Sequence, residues 1–331
     1  MYHFPYARLG VATLLAGVAL CGITPASAKT FAVVVKTVND VFSAPIKEGC
    51  EKAAKELGDT CYYIGPSQVD EGQQIQVVND VISKGIDGLA VSATNPKSMA
   101  RVLGRLKDKI PIVTFDGDLL PEDAKLRSTF IGTDNYKFGV ELAKKVVDMK
   151  PHGGSVCIQT GTAGSLNLDL RVQGVRDTLG GGSKDKPVAR LTGQNGWSEP
   201  SSCPVYNNDN ISLAVQQLND VLTANPKLDA FVAVGGWAQY APSAYRAAVG
   251  RVKARVDSKD LVISFGDAFA PQMPLLKEGL SDYQVGQSPY QMGYQAIKAL
   301  DALTKGQSVP PYIDTGFVEC TPDMADSCGK N

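Results

Sequence analysis

Short, wholly apolar runs recur along this chain, each followed by a longer segment whose apolar residues are spaced for one face of a helix. Phe31-Ala32-Val33-Val34-Val35 is the first, of the kind that forms a parallel strand buried on both faces. Residues 44–57 follow with helical spacing and end at Gly58, a residue suited to a left-handed C-cap. The rhythm continues with a strand over 61–64, a helix over 71–84 closed by Gly85, and a strand over 88–92. A helix opening after Asn95-Pro96 and a strand over 111–115 complete the series. One helix between successive strands implies right-handed βαβ crossovers and an open parallel sheet.

A second series starts after Ile131-Gly132-Thr133-Asp134-Asn135. Helices are expected over 138–148, 169–179, 211–223 and 242–249, with strands over 155–159, 188–192, 230–234 and 261–265. The pattern predicts an α/β fold of two doubly wound parallel-sheet lobes. Their join, near 133–136, reads as a crossover, because no Pro/Gly/Ser-rich tether or low-complexity segment separates the halves.

The first 28 residues read differently. Arg8 precedes an apolar stretch over 9–23, and Ala26-Ser27-Ala28 stands before Lys29: a charged start, a hydrophobic middle and a small-residue cleavage site, in the order of a signal peptide. The stretch is broken by Gly10, Gly17 and Gly22 and is short for a bilayer span. A lipid-anchored form would use Cys21, but Leu20 stands where a lipobox usually has a small residue. Export is the expectation, with the folded part beginning near Lys29.

About 300 residues remain after such a cleavage, enough for two ordinary domains. The formal charge of −1 becomes −2 once Arg8 leaves, and no basic block exists. A nucleic-acid or anionic-membrane partner therefore has no electrostatic support; a monomer with a small-molecule ligand is expected. Six of seven cysteines lie beyond the leader: Cys50, Cys61, Cys157, Cys203, Cys320 and Cys328. An even number in an exported chain favours disulfides, with 15 connectivities open. Cys50–Cys61 and Cys320–Cys328 are the easiest local pairs, which leaves Cys157 with Cys203. No Cys-x-x-Cys pair suggests zinc or redox chemistry. Only His3 and His152 are present, the second in a Pro-His-Gly-Gly turn, so the common histidine-dependent hydrolases and His-rich metal centres have no base or ligands. Gly161-Thr162-Ala163-Gly164 lacks the Gly-Lys-Ser/Thr of a phosphate loop, and no dinucleotide glycine pattern occurs. Enzymes that work without histidine stay open at this point; no metal or cofactor is expected.

Ligands of open parallel sheets meet the loops at the carboxyl ends of the strands. Here those loops hold Lys36, Asn39, Asp40 and Phe42, then Asp116, then Asn167, then Trp237, then Asp267. Carboxylates, amides and cations fix hydroxyl groups through charge-assisted hydrogen bonds. Phe42, Trp197 and Trp237 offer faces for the C–H side of a sugar ring. Arg171 is expected in the first turn of its helix, where a cation opposes the macrodipole and so points to an anionic neighbour.

Six ordered segments carry a family resemblance: Asn39-Asp40-Val41-Phe42; Gln73 to Gln76 with Gly85 to Gly88; Ile112 to Asp116; Ile131 to Asn135; Arg171-Val172-Gln173-Gly174; and Val285 to Tyr290. Through nearly all of its mature length the chain resembles the type I periplasmic sugar-binding proteins of ABC importers, in the ribose/galactose class. The pattern at 131–135, 287–290 and 312–316 is nearest to bacterial glucose-binding members. The resemblance implies a three-segment hinge near 133–136, 287–288 and 311–312, with a first lobe of 29–134 plus 288–311 and a second of 135–287 plus 312–331. It places Phe42 in a ring-stacking role with Asp40 beside it, Asp116 after the fourth strand, Arg171 as the second lobe's arginine and Gln287 as the hinge glutamine. It also implies a membrane permease as partner, delivery of a monosaccharide or sugar alcohol, and no chemistry on the ligand. A sensory role at a chemoreceptor or sensor kinase is the alternative. Gly117 and Gly235 replace an Arg and an Asn of many relatives, Gly266 offsets Asp267 by one, and Lys36 adds a cation. Lys36 with Arg171 keeps an acidic sugar open as a ligand.

Overall fold

The computed structural model describes residues 1–3, 28–106 and 108–329; the expected leader lies almost wholly outside them. The first half runs β1 (Thr30–Val34), α1 (Ser43–Leu57), β2 (Thr60–Ile64), α2 (Glu71–Ser83), β3 (Gly88–Val91), α3 (Pro96–Leu103), β4 (Ile112–Phe115) and β5 (Thr129–Gly132). The second runs α4 (Asn135–Met149), β6 (Gly154–Thr160), α5 (Leu166–Gly180), β7 (Trp197–Ser198), β8 (Val205–Tyr206), α6 (Ile211–Ala224) and β9 (Ala230–Ala233). It continues through α7 (Pro242–Gly250), α8 (Lys253–Asp257), β10 (Val262–Gly266), α9 (Met273–Lys277) and β11 (Tyr283–Gln287). Then come α10 (Pro289–Thr304), β12 (Tyr312–Asp314) and β13 (Phe317–Cys320).

The strands form two sheets, ordered β12-β5-β4-β3-β1-β2 and β13-β11-β10-β9-β6-β7, with β8 beside β6. The first is wholly parallel; in the second, β13 runs antiparallel to β11. Both sheets carry helices on their faces; β3, β4, β9 and β10 are buried throughout and β1 from Phe31 onward, as the apolar runs demanded. Gly58 closes α1 in the left-handed region, φ 75°. Paired glycines set the helix contacts. A Cβ on Gly49 of α1 would lie 2.0 Å from the Tyr290 carbonyl of α10, and one on Gly139 of α4 would lie 2.0 Å from the Arg171 carbonyl of α5. Disulfides join Cys50–Cys61, Cys157–Cys203 and Cys320–Cys328. Among the described residues no helix is long and apolar enough to cross a membrane.

Two expectations need correction. Residues 188–192 form no strand, because their backbone donors go elsewhere: Val188 N–H to Asp177 Oδ1 at 2.7 Å and Leu191 N–H to Glu199 Oε1 at 3.1 Å. The sheet is extended instead by β7 and β8. The third crossing also lies later than 311–312. β12 pairs with β5 of the first sheet, Tyr312 stacks on Phe130 at 5.6 Å, and its hydroxyl donates to the Gly132 carbonyl at 3.1 Å. Residues 312–314 therefore belong to the first lobe, and the chain crosses at Thr315-Gly316. The other crossings lie between β5 and α4 and between β11 and α10.

Candidate functional site

Asp116 and Asp267 show how each sheet delivers a carboxylate. Both follow the last residue of a central strand, β4 and β10, and both adopt left-handed backbone, φ 53° and 67°. That region is sparsely used by residues other than glycine, with Asp and Asn among the better tolerated. The adjacent strand holds each one: Asp116 N–H donates to the Ile131 carbonyl at 3.1 Å, and Asp267 N–H to Val285 at 2.7 Å. Gly266 explains the one-residue offset before Asp267. A Cβ there would lie 2.7 Å from the Val234 carbonyl, so the strand ends on glycine and the carboxylate comes next.

These two aspartates face a cavity between the sheets. Lys36, Asp40, Phe42, Asn167, Arg171, Trp237 and Gln287 line it as well. Asn39 does not. Its side chain donates to the Ser67 carbonyl at 3.0 Å and it lines an outer recess. Trp197 is buried in the second lobe's core and takes no part.

Arg171 lies in the second turn of α5, which begins at Leu166, so the expected clash with the helix dipole is absent. The crossing at Gly139 and Gly174 brings α5 against α4. The guanidinium, 2% exposed, lies over the Phe138 ring at 4.3 Å. It donates to Asn135 Oδ1 at 2.8 Å, the Val234 carbonyl at 3.0 Å and Gln287 Oε1 at 2.6 Å. Gln287 passes the chain on, its Nε2 donating to Asp267 Oδ1 at 2.8 Å. Asp267 Oδ2 accepts from Gly236 N–H at 2.9 Å and the Tyr240 hydroxyl at 2.6 Å. Burial pulls the Arg171 pKa down, while Asp267 and Asp116 pull it back up. Burial, then Asp267, push the Tyr240 phenol well above its ordinary value.

Lys36 and Asp116 of the first lobe pair with each other and reach across the cavity to the second lobe. Lys36 Nζ lies 3.3 Å from Asp116 Oδ2 and donates to Ser165 Oγ at 3.2 Å and Asn167 Oδ1 at 3.1 Å. Asn167 Nδ2 donates to Asp116 Oδ1 at 3.1 Å, and Ser92 Oγ to Asp116 Oδ2 at 2.8 Å. Phe42 meets Phe269 of the opposite lobe edge-on at 6.1 Å. Asp40 accepts from Ser43 N–H at 2.7 Å. Burial pushes its carboxyl up to about 6, with Asp209 and Asp116 adding to the rise.

Asp209, Tyr240 and Ser92 line the cavity too, though sequence reasoning did not select them. Asp209 follows β8, which was missed because the strand was sought at 188–192. The polar run Asn207 to Asn210 just before a helix was the available clue. Gly161 makes room for Asp209: a Cβ there would lie 2.8 Å from both Asp209 Oδ1 and the Trp237 ring.

Four carboxylates (Asp40, Asp116, Asp209, Asp267) and two cations (Lys36, Arg171) thus share the cavity. Among the described residues no group of three or more His, Cys, Asp or Glu is placed to hold a metal ion. Two α/β lobes closing on a polar cavity define a binding protein of the periplasmic type, and the chain belongs to that family: the periplasmic binding protein domain matches residues 31–308. It is 26% identical over 292 residues to the D-allose-binding periplasmic protein of Escherichia coli (strain K12), covering 86% of this chain and 88% of that one. It is 25% identical to the ribose import binding protein RbsB of Salmonella typhimurium, covering 90% and 94%. Among solved structures, it resembles an ABC transporter solute binding protein from Burkholderia graminis in complex with D-arabinose. The TM-score is 0.77 at 26% identity, covering 90% of this chain and 97% of that one.

Proposed function

We propose that this protein is the periplasmic solute-binding component of an ABC importer, capturing a neutral monosaccharide or sugar alcohol between its lobes and presenting the closed form to a membrane permease. The observation that carries the reading is the convergence of residues from both lobes on one cavity rich in hydroxyl-binding groups. Carboxylates accept sugar hydroxyls strongly, and Phe42 and Trp237 supply ring faces. No step alters the ligand. Export through a leader cleaved after Ala28 belongs to the same proposal.

The charge pattern favours a neutral guest over an acidic one. Lys36 is paired with Asp116, and Arg171 is engaged by Gln287 and two further acceptors. A uronate or aldonate would face four carboxylates with both cations already occupied, and burial leaves little water to screen the repulsion. Isothermal titration against neutral monosaccharides, polyols and the matching uronates tests this. At least one neutral compound is expected to bind with micromolar or tighter Kd, and the uronates at least tenfold more weakly. Silence across the neutral compounds would remove the sugar reading; preference for a uronate would reverse the charge argument.

A further inference from the structure

We propose that the carboxyl-terminal tail, closed on itself by the Cys320–Cys328 disulfide, is a positioning element for ligand binding: it holds Phe269, and through that ring the aromatic contact that spans the cleft. This rests on the reading that the cavity holds a sugar. Phe269 is buried. It meets Phe42 of the first lobe edge-on and Tyr240 of its own lobe at a tilt, with ring centroids 6.1 Å apart in both pairs. Phe42 and Tyr240 line the cavity, so Phe269 acts on the guest through its neighbours.

Two different supports hold the loop over 267–272. Asp267 is tied to the sheet, its N–H donating to the Val285 carbonyl at 2.7 Å. Phe269 exchanges hydrogen bonds with Gln272, its N–H reaching Oε1 at 3.0 Å and its carbonyl accepting the N–H at 2.8 Å, but neither it nor Ala268 pairs with a strand. What these two residues have instead is the tail. Ala268, with Met273 and Leu276 of α9, joins Cys320, Ala325 and Cys328 in an apolar cluster separate from the second lobe's main core. A Cβ on Gly286 of β11 would lie 2.7 Å from Ala268 Cβ and 2.9 Å from the Val318 side chain of β13. One on Gly329 would lie 3.1 Å from the Ala268 carbonyl oxygen and 3.4 Å from the Phe269 carbonyl carbon.

The tail's disulfide suits local order more than bulk stability. It bridges residues only 8 apart, against 11 for Cys50–Cys61 and 46 for Cys157–Cys203, and stabilisation through the unfolded chain grows with loop length. A cluster of so few apolar side chains belongs to the parts of a fold that open locally at low cost; the covalent closure counters that opening. Cys328 and Gly329 are thereby fixed against Ala268 and Phe269 before a ligand arrives, which spares the cost of ordering them on binding. None of the described residues beyond 316 lines the cavity, so the tail acts on the site from outside it. The family domain match ends at residue 308, and the tail lies beyond that segment.

The test is calorimetric titration of the mature chain with its tightest-binding neutral sugar, in wild type and in Cys320→Ala/Cys328→Ala. The paired variant is expected to bind at least fivefold more weakly. Cys50→Ala/Cys61→Ala, which removes a disulfide of similar span from the other lobe, should stay within twofold. A double-mutant cycle separates positioning from general loosening. In a Phe269→Ala background the tail replacements should cost less than twofold, because the ring they hold is already gone. Ala325→Asp, which puts a charge into the same cluster with both cysteines in place, reads the same loss if the paired variant folds poorly. The inference is overturned by a smaller loss in the tail variants, by an equal loss in the Cys50/Cys61 variant, or by a loss as large without Phe269 as with it. Failure of every sugar to bind wild type would instead remove the sugar reading itself.

Discussion

In the second lobe, Arg171, Gln287, Asp267 and Tyr240 bond to one another and to their own lobe's backbone. In the first lobe, Lys36 and Asp116 bond to Ser165 and Asn167 of the opposite lobe. One wall of the cleft is thus assembled by its own fold, and the other is completed by contact across the gap. A guest meeting the second wall finds partners already aligned, so little reorganisation opposes its docking. On the first wall, binding and closure are coupled, because the groups that hold the ligand also hold the lobes together.

The largest effect should come from the self-assembled wall. Arg171→Ala removes a buried, hydrogen-bonded cation and leaves Gln287 Oε1, Asn135 Oδ1 and the Val234 carbonyl without their donor. Truncating such a group costs about 2–5 kcal/mol in binding, at least ~30-fold in Kd, and lowers folding stability as well. Calorimetry and urea unfolding would read both; a loss no larger than that of the lysine variant below would erase the distinction between the walls. Phe42→Ala comes next. It removes the first lobe's ring face and its edge contact with Phe269, an aromatic pairing of about 0.5–1.5 kcal/mol beyond the buried area, and roughly tenfold weaker sugar binding is expected.

Lys36→Met should cost less, on the order of 1 kcal/mol, since its two cross-cleft hydrogen bonds are exchanged for solvation in the open form. Its signature is a shift toward open molecules in small-angle scattering with little change in the urea midpoint. An unchanged scattering profile would show that the cross-cleft contacts do not govern closure.

The effect on sugar binding is smallest for the last variant, whose readout is the pH dependence of stability. Burial raises the Asp40 carboxyl from its ordinary 3.8 to about 6, so the folded chain holds this proton more tightly than the unfolded one. The group's contribution to stability is full below about pH 4 and disappears as pH climbs through 6. Between pH 7.5 and 4.5, wild type should therefore gain stability relative to Asp40→Asn by about 2 kcal/mol, read from urea midpoints at both values. Parallel behaviour of the two proteins would place Asp40 in water.

The α/β alternation was legible because strands buried on both faces are written as unbroken apolar runs. Strand ends then pointed to Asp116, Trp237 and Asp267, since parallel sheets present ligand groups there. Harder to read were places where side chains override the ladder. Asp177 and Glu199 take the backbone donors of Val188 and Leu191, which dissolves a strand that looks well formed on paper and hides Asp209 behind its replacement. Asn39 sits beside true lining residues, yet its amide turns to the Ser67 carbonyl, a choice made by a loop 28 residues away. Tyr312 was assigned to the wrong lobe because its partner, Phe130, is distant in sequence.

The claim that both walls grip one guest is tested most directly by small-angle X-ray scattering of the mature protein, with and without the tightest-binding neutral sugar of the titration series. The account predicts that saturation shrinks the radius of gyration and narrows the distance distribution in wild type, and does so less completely in Lys36→Met. Calorimetric binding with no change in either quantity would contradict it, because the ligand would then be held by one lobe alone.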